Sequence, residues 1–454
     1  MKRLLLALSI FAVAPAAAET VAITGGRVVI GDGSPPIEGG TVLIENGRIA
    51  AAGASVSVPA AARVIDAGGK WVTPGIVAGF SRVGLVEVGA VDPTNDTQAN
   101  GSPFSAAIDV APAINPKASP IAIGRAGGVT RAIVAPISAR NIFAGQGAVI
   151  DLGEDMQPIT RARAFQYVEL GERGAAEAGG SRASAHALFR NALREAGALA
   201  RDIQSTPSRP SDRPPLEEIP DVRLRSAGLD RPDDVLLTRF DAAALLPVVR
   251  GSQLLFVHAE RASDILEALA LKRDFPELRM VLIGAAEGWT VASEIAAAGV
   301  PVIADPLLDL PSDFETAAAT QSNIGRMRDA GVEVAAAMIG GFDAHQLYNL
   351  PQLAGNLVAI DSLPGHNGLS WSEAFAAISS RPAEAVGLGH EIGSLRPGRR
   401  ADVVIWDGDP LELSSAVEAL WIDGVPQSLE NRQTRLRDRY RDLDESDLPK
   451  AYDR

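Results

Sequence analysis

Two hydrophobic patterns alternate along the 454 residues of the chain. Near both ends, in residues 19–72 and 391–428, short strand-like runs are separated by Gly, Pro, Asn and Asp turns, without a helical period. Between these segments, apolar runs such as LLFVH (residues 254–258) are each followed by a helical stretch, at intervals of about 25–30 residues. The pattern predicts a parallel sheet covered by helices in the middle of the chain, and a small β module assembled from both ends.

The central region, residues 73–390, contains seven recognisable strands of this kind, whereas eight would close a barrel. We therefore expect an α/β fold with a TIM-like (β/α)8 barrel, and an open doubly wound sheet is the alternative. Residues 201–235 are rich in Pro, Ser and charge, which predicts an excursion across the surface. The densely charged residues 429–454 predict a solvated helix followed by a frayed end.

The first 18 residues have the three parts of a secretory signal peptide. A positive start (MKR) precedes a mostly apolar stretch up to Pro15, and three alanines at 16–18 offer a cleavage site. The apolar stretch is too short to span a bilayer, and no later segment is apolar enough to do so. We therefore expect residues 1–18 to be removed and the mature protein to be periplasmic or secreted.

Composition narrows the possible functions. The net charge is −14 and no basic stripe is present, so nucleic acid is not an expected partner. The chain has no cysteine, which excludes disulfides, thiolate metal ligands and thiol nucleophiles. No Gly-rich phosphate-binding motif opens a helix, so nucleotide binding has no support. A small-molecule ligand or substrate remains the expected partner.

Three segments together resemble the amidohydrolase superfamily, in particular its imidazolonepropionase-like, secreted members. They are GGRVVIGDGSPPIEGGTVLIENGRIAAAG, GGKWVTPGIVAGFS and IGSLRPGRRADVVIWDGDPLE, and the resemblance extends over residues 20–440. It implies a (β/α)8 barrel, a β-sandwich domain built from both chain ends, and hydrolysis of carbon–nitrogen bonds other than peptide bonds. It also implies zinc or another divalent metal, which lowers the pKa of a bound water and polarises the scissile carbonyl.

The resemblance places metal ligands at positions where this chain has lost them. In the family, two histidines separated by one residue end the first barrel strand, and here these positions carry Phe80 and Arg82. The sixth-strand histidine position is occupied by Gly284. Phe80 and Arg82 cannot coordinate a cation, and Gly284 has no side chain. We therefore expect a degenerate metal site in which these three residues line the pocket.

Other family positions keep a usable side chain. His258 ends the fifth-strand run and is the candidate metal ligand there, while Asp343 is the candidate eighth-strand carboxylate, with His345 two residues later. His258 and Asp343 are thus the candidate catalytic pair, and Asp151 is a possible acidic neighbour in the pocket. Because a buried carboxylate needs a partner, we expect Arg82 to contact Asp343 or Asp151 in the barrel mouth.

Three functions fit this ligand set. The first is a weakly active or non-catalytic member that binds a small ligand, or pairs with an active relative. The second is an active mononuclear metal-dependent amidohydrolase that uses His258, Asp343 and a contribution from His345. The third is a metal-free enzyme in which His258 and Asp343 act as acid and base. The sequence does not identify a substrate, and it is compatible with a homo-oligomer.

Overall fold

The computed structural model describes residues 20–205, 236–306, 308–340 and 344–441. The predicted signal peptide, most of the predicted surface excursion and the end of the charged tail lie outside these ranges. Asp343 also lies outside them. Within the described residues, no helix has the length and apolar character needed to cross a membrane.

The secondary structure follows the two predicted patterns. The strands are β1 (Val21–Val28), β2 (Ile37–Glu45), β3 (Arg48–Gly53), β4 (Arg63–Asp66), β5 (Trp71–Pro74), β6 (Ile76–Ser81), β7 (Val129–Val134), β8 (Phe143–Asp151), β9 (Ile159–Glu169), β10 (Leu254–Ala259), β11 (Met280–Gly284), β12 (Val302–Ala304), β13 (Val334–Ala336), β14 (Val403–Trp406), β15 (Val417–Ile422) and β16 (Val425–Pro426). The helices are α1 (Ser119–Ala126), α2 (Glu172–Glu177), α3 (Arg182–Ser205), α4 (Arg239–Ala244), α5 (Leu246–Val249), α6 (Ala262–Asp274), α7 (Ala292–Ala298), α8 (Asn323–Asp329), α9 (Leu350–Asp361), α10 (Trp371–Ala377), α11 (Ser380–Ala385) and α12 (Arg432–Arg439).

One sheet joins the two ends of the chain. Its strand order is β16-β15-β14-β5-β1-β2-β3, and β4 pairs with β1 outside this path. The junction is the antiparallel pair of β5 with β14, in which Val72 lies opposite Ile405. Both side chains belong to one buried apolar cluster with residues of β1 and β2. The expected β module of the sandwich domain is therefore present, because strands far apart in sequence bury one shared apolar face.

The central sheet forms a nearly closed barrel. Its strand order runs from β6 to β13, and every residue of β6, β7, β11, β12 and β13 is buried. The two end strands approach each other, since a Cβ placed on Gly79 of β6 would lie 3.4 Å from the Cβ of Ala337. The backbone N–H of Arg82 also donates to the carbonyl of Ala344 at 3.1 Å. The barrel rather than the open sheet is confirmed.

One strand departs from the predicted parallel arrangement. β8 runs antiparallel to both β7 and β9. Residues 135–142 and 152–158, which connect these strands, are too short for a helical crossover, and short connections join antiparallel strands. The strand missing from the sequence-based count is β9, whose first half is largely exposed.

This reversal decides which side chains meet. The carboxyl ends of β6, β7, β9, β10 and β11 lie at one edge of the barrel, which we call the barrel mouth. The carboxyl end of β8 lies at the opposite edge, where Asp151 pairs in register with Arg131 near the start of β7. Side chains at the ends of the parallel strands therefore converge on the barrel mouth, and Asp151 does not.

Candidate functional site

The barrel mouth holds a charged cluster on β9 and β10. The two strands are parallel neighbours, and their register places Glu169 beside His258. Because alternate residues of a strand share one face, Tyr167 lies on the same face as Glu169. The same spacing places Glu260, immediately after β10, near His258. Four polar side chains consequently meet where the fifth-strand ligand is expected.

His258 is held by a carboxylate on each ring nitrogen. Its Nδ1 lies 2.5 Å from Glu169 Oε2, and its Nε2 lies 2.9 Å from Glu260 Oε1. Glu169 is buried, and its second oxygen accepts a hydrogen bond of 2.9 Å from the Tyr167 hydroxyl. A ring with an acceptor on both sides is satisfied only as the doubly protonated imidazolium, which donates through both nitrogens.

The charges around His258 support that protonation state. Burial alone would lower the pKa of His258, but Glu169 and Glu260 together raise it well above its usual value of 6.5. Burial would raise the pKa of Glu169, yet the attraction of His258 and hydrogen bonds from His258 and Tyr167 lower it below 4.5. The pair is therefore an ion pair near neutral pH.

Glu260 occupies the place where the resemblance expects the sixth-strand histidine. Its second carboxylate oxygen accepts a hydrogen bond of 2.8 Å from the backbone N–H of Ala286. A Cβ added to Gly284 would lie 2.3 Å from Glu260 Oε1, and Gly284 has a left-handed φ of +91°. Gly284 thus lies at the mouth, and its missing side chain leaves room for the Glu260 carboxylate.

Phe80 and Arg82 fill the space at the end of the first strand. The Phe80 ring is buried and packs edge-on against Tyr167, with ring centroids 5.5 Å apart. The guanidinium of Arg82 lies over the Phe80 ring, with Cζ 5.4 Å from the ring centroid. Burial lowers the pKa of Arg82, although Tyr167 and Glu169 partly oppose this effect. The first-strand residues therefore place an aromatic ring and a cation where the family is expected to place two ligands.

The described side chains at this mouth do not fit a metal ion. A metal needs several donor atoms that converge on one point. Both nitrogens of His258 are engaged by carboxylates on opposite sides of the ring, so Glu169 and Glu260 do not converge with it. His345 is half-buried near the mouth, and Asp343 lies outside the described residues.

Another group of carboxylates does converge. Oxygens of Glu172, Asp313 and Glu315 lie within 4.8 Å of one another, as metal ligands do. Glu315 is already bound by Arg182 at 3.1 Å and by the backbone N–H of Glu172 at 2.6 Å. Glu315 is thus held by protein groups, and Glu172 and Asp313 are exposed, so the proximity of the three carboxylates needs no ion.

Asp151 belongs to a different cluster. It lies 3.7 Å from Arg131, at the edge of the barrel that faces the second sheet. The expectation that Asp151 lines the pocket, and that it contacts Arg82, is corrected by the reversed direction of β8. The carboxyl end of an antiparallel strand lies at the edge opposite to those of its neighbours.

Sequence reasoning missed three members of the cluster: Tyr167, Glu169 and Glu260. Each of the two glutamates follows another polar residue of the site by two positions, as in Tyr-x-Glu and His-x-Glu. Residues two apart at the end of a buried strand share a face, so this spacing was the available signal. The structure places four residues named from the sequence at the mouth: His258, Arg82, Phe80 and Gly284.

The chain is similar to known amidohydrolases. A family model described as "Amidohydrolase family" matches residues 279–426. The imidazolonepropionase of Maricaulis maris is 27% identical over 383 residues, which cover 83% of this chain and 89% of that protein. The amidohydrolase tasK of Hapsidospora irregularis is 26% identical over 422 residues, which are 86% of this chain but 40% of that longer protein.

A solved structure has the same architecture. The amidohydrolase from Thermotoga maritima superposes with a TM-score of 0.74 and 24% sequence identity, over 89% of this chain and 99% of that one. At this identity the similarity concerns the fold, and it agrees with the barrel and the two-ended sheet described above.

Proposed function

Since the chain belongs to the amidohydrolase superfamily of hydrolases, we propose that it is a member without a resident metal. It binds a small-molecule ligand at the barrel mouth and has weak catalytic activity or none. The single observation that carries this proposal is the state of His258. Both of its ring nitrogens point at carboxylates, so neither offers a lone pair to a cation.

The neighbouring positions support the same proposal. Phe80 is packed against Tyr167, and Glu260 takes the space beside Gly284. A histidine at position 284 would have to displace the Glu260 carboxylate and accept a left-handed backbone. The mouth thus contains fixed side-chain charges in place of a metal ion's charge. A pocket of this kind can still bind a ligand after the catalytic metal site has been lost.

Metal analysis of the protein purified without chelator tests this proposal. We expect substoichiometric zinc, manganese and iron, and no saturable Zn²⁺ binding in a calorimetric titration. The His258→Ala variant is the matched control, because its removal should not change the metal content if His258 is not a ligand. One tightly bound equivalent of metal, lost in His258→Ala, would instead support the active mononuclear amidohydrolase.

Export and assembly remain predictions of the sequence. The signal peptide of residues 1–18 predicts a periplasmic or secreted protein, and N-terminal sequencing of the mature protein from a bacterial periplasm would check the cleavage site. Self-association, or pairing with an active relative, is compatible with a ligand-binding subunit.

A further inference from the structure

Arg82 has hydrogen-bonding capacity that the described part of the chain does not use. Its Nε and Nη1 atoms are fully buried and have no hydrogen-bond partner among the described residues. A guanidinium is always charged and carries five N–H donors, so leaving two buried nitrogens unpaired costs free energy. Unpaired buried donors of this kind need an explanation, and a missing ligand is one.

The nearest carboxylate of the cluster is already committed. Glu169 lies close enough to influence the charge of Arg82, but it uses one oxygen for Tyr167 and the other for His258. Glu260 is likewise shared between His258 and the backbone of Ala286. Each of these carboxylate oxygens therefore already accepts a hydrogen bond from another group, and among the described residues none pairs with Nε or Nη1 of Arg82.

A second guanidinium adds to the positive potential at this point. Arg173 is near enough to lower the pKa of Arg82 by repulsion. Arg173 itself is held by Ser138 through hydrogen bonds of 2.8 and 2.9 Å, and it lies 3.3 Å from Glu177. Its position is consequently fixed, and its charge favours an anion beside Arg82.

From these contacts we propose that Arg82 is the recognition residue for the carboxylate group of a small-molecule ligand at the barrel mouth. This inference rests on the proposed function, because it assumes that a ligand binds in the space where other family members would hold a metal. Arg82 as a whole is only half-buried, so part of its side chain is open to solvent although Nε and Nη1 are not. Guanidinium groups bind carboxylates through short, charge-assisted hydrogen bonds.

The charge of the surroundings favours a singly charged anion. Glu169 and Glu260 balance the charges of His258 and Arg82, which leaves the cluster neutral as a whole. Because its cations and carboxylates balance, the cluster offers no net positive charge to hold the second charge of a phosphate dianion. A monocarboxylate makes the missing hydrogen bonds at the lower electrostatic cost.

Saturation-transfer NMR with propionate tests the assignment, with propionamide as the uncharged isostere and inorganic phosphate as the competing anion. We expect propionate to bind, propionamide to bind much more weakly, and Arg82→Met to lose about tenfold or more in propionate affinity, since a charge-assisted contact is removed. Arg27→Met is the matched control, because Arg27 also stacks on an aromatic ring, Trp71 at 4.6 Å, but lies in the other sheet.

Three results would overturn the assignment: no propionate binding to the wild type, unchanged affinity in Arg82→Met, or phosphate binding more tightly than propionate. If Arg82→Met does not fold, protection of Arg82 from phenylglyoxal by propionate, read by peptide mass mapping of the wild type, decides instead. Metal content of the same samples separates the two proposals. Bound metal with intact propionate binding would refute only the metal-free function, whereas metal-free protein without propionate binding would refute only the role of Arg82.

Discussion

Two arginines with buried guanidinium nitrogens lie at opposite edges of the same barrel, and their surroundings differ sharply. Arg131, near the start of β7, is bound by both oxygens of Asp402 at 2.7 and 2.9 Å and by Asp423 at 2.8 Å. Its remaining nitrogen donates to Thr160 at 2.8 Å. Arg82, at the barrel mouth, has two buried nitrogens without a partner among the described residues.

The difference indicates which edge holds the structure and which is available to a ligand. Asp402 immediately precedes β14 and Asp423 lies in the turn between β15 and β16, so this ion network joins the barrel to the β module. At that edge, acidic groups outnumber the buried cation. At the mouth, two buried nitrogens of Arg82 have no acceptor among the described residues. A buried charge whose hydrogen bonds are all made within the protein has a structural role. A buried charge with unpaired donors is a candidate for binding a ligand.

Removing Arg131 should have the largest effect of any change considered. In Arg131→Met the carboxylate of Asp402, which is buried, keeps the backbone N–H of Asp423 as its one hydrogen-bond donor among the described residues. Breaking one side of a buried ion pair costs about 3–5 kcal/mol, because the other charge stays buried without compensation. Urea unfolding of the wild type and the variant at neutral pH measures this loss.

Arg82→Met provides the direct comparison. No hydrogen bond of its side chain is lost among the described residues, so we expect the free energy of unfolding to change by less than about 1 kcal/mol. A loss as large as that of Arg131→Met would mean that Arg82 also has a structural role, and the contrast between the two edges would collapse.

His258→Gln should have an intermediate effect that depends on pH. The folded-state pKa of His258 is raised above 6.5, so its contribution is complete below pH 6.5 and is lost as pH rises through the folded-state value. The lowered pKa of Glu169 gives a contribution that is complete above pH 4.5 and is lost in stronger acid. We expect the variant to lose about 2 kcal/mol between pH 4.5 and 6.5, since two charge-assisted hydrogen bonds disappear.

Unfolding curves from pH 4 to 10 check this dependence, with His366→Gln in an exposed loop as the control. The deficit of His258→Gln should shrink at alkaline pH, while His366→Gln should resemble the wild type throughout. A deficit that grows with pH would show that His258 is neutral in the folded protein, and it would then be free to bind a metal.

The sequence alone predicted the parts of this comparison that depend on local patterns. The turns at both chain ends and the buried strands ending at Phe80 and His258 are local, and they located the barrel and its mouth. β9 was missed because exposed residues such as Arg161 and Arg163 interrupt its apolar run, and Glu169 was missed with it. Asp151 was assigned to the wrong edge because strand direction depends on how the connections fold, which no short pattern states.

Asp151→Asn should have a small effect of the opposite sign. Asp402 and Asp423 already satisfy Arg131, and Asp151 lies farther away, at 3.7 Å. Burial therefore outweighs the attraction of Arg131 and raises the pKa of Asp151 from 3.8 to about 6. A raised acid pKa means that the folded state holds the proton more tightly, so ionised Asp151 destabilises the fold above pH 6 and the protonated form does not.

We expect the free energy of unfolding of Asp151→Asn to rise by on the order of 1 kcal/mol at pH 8 and to stay unchanged at pH 4. Urea unfolding at both values measures it, with Asp155→Asn, exposed in the same turn, as the control. A loss of stability at pH 8 would mean that Arg131 depends on Asp151 as well, so that this edge of the barrel has no surplus of acceptors to set against the unpaired donors of Arg82.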